Sequence, residues 1–154
     1  MTDYKISVDI AAPPELVWDV MSDVERWSEW TASISSIQRL DAGGPLRVGS
    51  RALVRQPRIR PAVWQVTELH EGRSFSWITR AAGVVAMGRH SVEAVANGTR
   101  ATLALKFSGF FAPLVGWLFG RLNQRYLALE ASGLKARSQA FAAAPHIPEF
   151  NAAD

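Results

Sequence analysis

The chain contains no cysteine, which removes disulfide frameworks, thiolate metal sites and thiol nucleophiles together. Such a chain suits a reducing cytoplasm. Histidine is nearly as scarce: His70, His90 and His146 are the three in the chain, and no two have the spacing of metal ligands. No metal and no cofactor is expected. The longest apolar run, Phe110 to Phe119, is about half the roughly 20 residues that span a bilayer, and Pro113 and Gly116 interrupt it. Stable membrane insertion is not expected. The start, Met1 to Ile6, lacks the basic and apolar regions of a secretion signal, which points to a cytoplasmic protein. No repeat of solenoid period is present, and the low-complexity content is limited to Ala140–Ala144. Net charge is +3 and 14 of the 17 cationic residues are arginines. They are scattered from Arg26 to Arg137 rather than gathered in a stripe, which argues against nucleic acid.

What the chain does have is bulk. Six Trp and seven Phe stand among 154 residues, and large rings line cavities as well as fill cores. The length fits one domain that buries about two thirds of its unfolded surface. That domain is expected over residues 1–144, with 145–154 as a tail that Ile147 and Phe150 could dock. Its organising stretch is Phe110 to Ala143, read as one long C-terminal helix with Pro113 at a first helical position. Leu114/Val115, Leu118/Phe119, Leu122, Tyr126, Leu129, Gly133/Leu134 and Phe141 recur at three-and-four spacing, predicting one apolar stripe. Arg121, Asn123, Arg125, Glu130, Lys135 and Arg137 are assigned to a wet face. The first three turns are apolar nearly all round and predict a covering element.

Upstream, Tyr4 to Ile10 alternates as a half-buried strand. The segment Ala12 to Met21, with prolines at its start and Glu15 in the first turn, predicts a short amphipathic helix. Val24 to Trp30 predicts a second, whose Trp27 and Trp30 share a face. Six strands are then expected at Ser33–Leu40, Arg51–Gln56, Ala62–Leu69, Arg73–Arg80, Val84–Glu93 and Thr99–Phe107. The Pro57–Pro61 link is excluded from a central strand because proline lacks the ladder donor. Short turns such as Asn97-Gly98 make the sheet antiparallel. Parity places Ala101, Leu103, Leu105 and Phe107 inward, brings Trp64 and Trp77 to one surface, and puts His90 inside.

One strand, two short helices, six strands and one long helix is the order of the helix-grip fold, an α+β architecture. Several pieces look familiar in sequence: Ala12-Pro13-Pro14-Glu15-Leu16-Val17-Trp18, Trp27-Ser28-Glu29-Trp30, Gly49-Ser50-Arg51 and Trp64-Gln65-Val66-Thr67-Glu68-Leu69. Others are Phe75-Ser76-Trp77, Gly88-Arg89-His90-Ser91-Val92-Glu93, Gly98-Thr99-Arg100 and Leu134-Lys135. Their order and spacing resemble the polyketide cyclase/dehydrase branch of the START-like (SRPBCC) superfamily, from Tyr4 to about Ser138. The resemblance implies a seven-stranded sheet curved around the C-terminal helix with an apolar cavity between them. It does not imply a reaction, because cyclase activity belongs to a few relatives and fold alone does not carry function.

Trp64, Trp77, His90, Leu105, Phe107, Phe111, Val115, Phe119, Leu122 and Tyr126 are the expected cavity walls, and a filled core is the alternative. His90 is the one histidine placed toward the interior, as a general base or as a strand histidine satisfied by a neighbour, with Glu68 as a partner by parity. Gly116 and Gly120 have GxxxG spacing, read as letting a helix approach the sheet or leaving room for ligand rather than as a dimerisation motif. Asn97-Gly98-Thr99 matches a glycosylation acceptor but is explained by its hairpin turn. Arg51, Arg55, Arg58 and Arg60 are either a landing site for an anionic head group or a solvated hairpin tip. The leading expectation is a protein that binds a hydrophobic small molecule, lipid-like or aromatic, for transport or sensing. The alternative is a polyketide cyclase/dehydratase-like enzyme with His90 as base and Tyr126 or Thr79 polarising a carbonyl. A third reading is an interaction protein that presents a surface.

Overall fold

The computed structural model describes residues 2–144; the expected tail, with His146, Ile147 and Phe150, lies outside them. Seven antiparallel strands form one sheet in the order β1-β7-β6-β5-β4-β3-β2. In chain order they are β1 (Thr2–Ile10), β2 (Ser36–Arg39), β3 (Arg51–Gln56), β4 (Ile59–His70), β5 (Ser74–Ala81), β6 (Val84–Val95) and β7 (Gly98–Ser108). Helix α1 (Pro14–Ser22) and a 3₁₀ helix (Val24–Glu29) follow β1, and helix α2 (Ala112–Ala143) closes the chain. This is the expected α+β helix-grip order.

Alternation drives the sheet. Ile6, Val8 and Ile10 turn inward while Lys5, Ser7 and Asp9 stay exposed, and Ala101, Leu103 and Phe107 are buried as parity requires. Helix α2 packs on β1 and β7, and α1 packs on α2. Glycine permits α2 to approach the end of the 3₁₀ helix as well: a Cβ on Gly133 would lie 2.0 Å from the backbone oxygen of Trp30. Gly120 faces the Tyr4 hydroxyl, which a Cβ would meet at 2.9 Å, in keeping with close approach of the helix to the sheet.

Three expectations are corrected. Strand β4 begins at Ile59 and so includes Pro61; the β3–β4 ladder is irregular between Val54 and Gln56, and a broken ladder is where a missing donor costs least. Strand β2 is shorter than Ser33–Leu40, since Ser33 and Ile34 precede it, buried outside the ladder. On α2, Asn123 and Glu130 are buried together with Leu127, Ala131, Leu134 and Ser138. The core-facing arc is turned by roughly a quarter turn from the apolar stripe, given 100° per residue. Val115, Leu122 and Leu129 therefore sit half-buried at the border of the interface.

Candidate ligand-binding site

The interior between sheet and α2 is built around His90. Position 90 falls on the inward parity of β6, next to Phe75 on β5, and the residue is 6% exposed. The imidazole stacks on Phe75 at 4.8 Å and 12°, and Trp27 of the 3₁₀ helix stands 4.9 Å away. Trp77 meets the imidazole edge-on at 6.1 Å. Trp27 is anchored by donating from Nε1 to the Met21 carbonyl oxygen at 3.0 Å.

His90 Nε2 lies 3.4 Å from Glu130 Oε1, and both side chains are buried. His90 Nδ1 has no hydrogen-bond partner among the described residues. Glu68, the partner expected from parity, is instead exposed and bonded to His70 at 2.8 Å, with Arg89 at 3.7 Å. The His70 ring, with Arg89 next, holds the Glu68 carboxyl below the usual carboxylate range. The irregularity of the β4–β5 ladder between Val66 and Glu68 defeats simple parity there.

The expected walls divide by depth. Trp77, His90, Phe107 and Tyr126 are buried. Trp64, Leu105, Val115 and Leu122 are half-buried, and Phe111 and Phe119 are exposed. Trp64 joins the two groups: its ring is 5.5 Å from Trp77, and it packs with Leu105 and Val115 against Phe107, Ala86 and Ala112. Gly88 beneath these rings has no room for a Cβ, which would come 2.9 Å from Trp77 Nε1. The Tyr126 hydroxyl donates to the Pro57 carbonyl oxygen, tying α2 to the β3–β4 turn, so its proton is committed within the fold. Thr79 is half-buried opposite Ala86.

Glu130, Trp27 and Phe75 surround His90 but were not among the expected walls. Glu130 follows Tyr126 by four residues and precedes Leu134 by four, so helical geometry alone places the three on one face. Two surface clefts lie at the other end of the sheet, one of about 360 Å³ beside Asp19, Glu25, Arg39, Leu46 and Leu69, the other of about 240 Å³ between α1, Trp30, Arg137 and Phe141. Neither is lined by the expected wall residues. Beside the first, Asp41 takes a bidentate pair of bonds from Arg39 at 2.8 and 2.5 Å and one from Ser50 at 3.1 Å. The Arg39 guanidinium, helped by Ser50, lowers the Asp41 carboxyl to about 2. Among the described residues no group of three or more His, Cys, Asp or Glu is placed to hold a metal ion.

A curved antiparallel sheet gripping one long helix, with two short helices after the first strand, defines a helix-grip protein of the START-like class. The chain belongs to the polyketide cyclase / dehydrase and lipid transport family, which it matches over residues 1–139. Solved structures share the fold. A hypothetical protein from Helicobacter pylori aligns at TM-score 0.73 and 16% identity over 88% of this chain and 86% of that one. A protein from Thermus thermophilus aligns at 0.72 and 19% over 91% and 99%. The Zhui aromatase/cyclase from Streptomyces sp. R1128 aligns at 0.72 and 16% over 90% and 93%. At these identities the likeness is one of fold. No curated protein matches the chain significantly. No helix among the described residues is long and apolar enough to cross a membrane.

Proposed function

We propose that the chain binds a hydrophobic small molecule, lipid-like or aromatic, between α2 and the sheet. The supporting observation is a half-buried apolar group of Trp64, Leu105 and Val115 joined through Trp77 to a buried histidine whose Nδ1 has no hydrogen-bond partner among the described residues. An apolar pocket with one placed polar group is the usual make-up of a small-molecule site. In this reading the rings supply affinity and His90 Nδ1 orients one polar atom of the ligand. Native mass spectrometry of the chain purified from its own cells tests it, with a co-purifying apolar ligand expected. A ligand-free chain that also binds nothing across a lipid and polyketide panel contradicts it.

A second reading rests on the His90–Glu130 contact. If Nε2–H points at an ionised Glu130, the Nδ1 lone pair is left as a base for a carbon acid beside a carbonyl, the chemistry of a cyclase or dehydratase. Glu130 then positions the ring, and neither expected hydroxyl is placed to help it: Tyr126 donates to Pro57, and Thr79 lies four residues along β5 from the Phe75 that pairs with His90, about 13 Å away. Turnover of a polyketide-like substrate that His90→Ala leaves intact removes this assignment.

A further inference from the structure

The covering element that the first turns of α2 call for is absent among the described residues. Phe110 is 86% and Trp117 79% exposed, and Phe111, Leu114 and Leu118 beside them are exposed too. Phe110 and Phe111 pack edge-to-face at 5.0 Å, and Leu114, Trp117 and Leu118 continue the patch along the outer side of the helix. Isolated surface rings need no explanation, but a contiguous group of five large apolar side chains marks an interaction site.

Charge says what the partner is. The turn of β3–β4, the turn of β5–β6, the end of β7 and the start of α2 all lie at one end of the sheet, as their antiparallel registers require. Two contacts join them: the Tyr126 hydroxyl on Pro57, and the Phe111 amide donating to the Gly83 carbonyl oxygen at 3.1 Å. This end carries Arg55, Arg58, Arg60, Arg80, Lys106, Arg121 and Arg125, all exposed. None forms an ion pair among the described residues; the pairs that do form involve Arg26, Arg39, Arg47, His70, Arg89, His90, Arg100 and Arg137. No Asp or Glu occurs between Asp41 and Glu68, between Glu71 and Glu93, or between Glu93 and Glu130. Among the described residues the acid at this end is Asp3, opposite Lys106 in the β1–β7 register. The other end bears Asp9, Glu15, Asp19, Asp23, Glu25, Asp41 and Glu71.

Arg58 adds an independent sign. It stands at the tip of its hairpin with φ 64°, the one non-glycine residue at positive φ among those described. A long side chain held there costs about 1–2 kcal/mol relative to its ordinary backbone, and retained strain is a mark of functional positions.

We infer that this end of the molecule docks on an anionic phospholipid surface, with Phe110, Leu114, Trp117 and Leu118 entering the head-group region and the arginines around them pairing with lipid phosphates. Aromatic side chains favour the membrane interface, and a basic rim supplies the selectivity for negative lipid. The inference does not depend on what occupies the interior.

Vesicle co-sedimentation of the full chain tests it, using phosphatidylcholine alone and phosphatidylcholine with about one third phosphatidylglycerol. Binding is expected to the anionic vesicles and to fall as salt rises from about 0.1 M to about 1 M, where the screening length shrinks from about 10 Å to about 3 Å. Phe110→Ser with Trp117→Ser should weaken partitioning at least about tenfold, and Arg58→Asn with Arg60→Gln about 30-fold. Neither pair should lower the melting temperature, since all four side chains are exposed. Absence of binding, equal binding to neutral and anionic vesicles, or a wild-type dimer dispersed by Trp117→Ser with no vesicle binding would each overturn the inference.

Discussion

Replacing Glu130 by leucine tests whether the buried pair is a structural necessity or a functional retention. The change removes the one partner of His90 Nε2 inside a cage of Phe75, Trp77 and Trp27, leaving both ring nitrogens unpaired. An unsatisfied buried group costs about 1–3 kcal/mol, which at this chain length lowers the melting temperature by roughly 3–10 °C. The double replacement His90→Phe, Glu130→Leu removes both polar partners and keeps a flat ring against Phe75. It should recover to within about 1 kcal/mol of the wild type, because a buried pair and a well-packed apolar substitute are close in energy. Urea denaturation of the four proteins in the cycle measures the coupling. Additive losses would refute the account of the pair. Binding makes the second half of the test: the double variant, though stable, should bind a hydroxyl-bearing apolar ligand about tenfold more weakly. Undiminished affinity would remove His90 from the site.

Three further outcomes follow from particular contacts. Gly133→Ala should destabilise by about 1–3 kcal/mol in chemical denaturation, despite alanine's helix preference of about 1 kcal/mol, because the clash at 2.0 Å is with a backbone oxygen that cannot rotate away. Trp77→Ala should cost about 3–5 kcal/mol, whereas half-buried Trp64→Ala should cost less stability and more affinity; equal stability losses would place both in a filled core. The Asp41 carboxyl sits at about 2 in the fold, against about 3.9 in an unfolded chain. Its contribution to stability is therefore complete above that unfolded value and is lost as the pH falls toward 2. Asp41→Asn should flatten the acid limb of a pH–stability profile there, and an unchanged limb would contradict the Arg39 contact.

Sheet and element order were legible because alternation is a strong local signal. Ala101, Leu103 and Phe107 faced inward as parity demanded, and His90 followed the same rule. The failures share a cause, which is that partners distant in sequence decide them. Pro61 entered a strand because the ladder beside it is already broken, and Glu68 lost its assigned role at another irregularity. Asn123 and Glu130 read as wet by residue type, while their helical angle put them in the core. A polar residue at a core angle called for the opposite reading: it marked the His90 partner. The apolar start of α2 was visible in sequence, but its exposure was not, since apolar side chains are normally covered.

The central claim is that the space between α2 and the sheet receives an apolar ligand oriented by His90. Crystallography of the chain purified from its own cells, or soaked with the tightest ligand from a lipid and polyketide panel, tests it most directly. The expected result is a ligand bounded by Trp64, Leu105, Val115 and Leu122 with one polar atom within hydrogen-bond distance of His90 Nδ1. A ligand seated instead in the acidic cleft beside Asp19, Glu25 and Arg39 would contradict it.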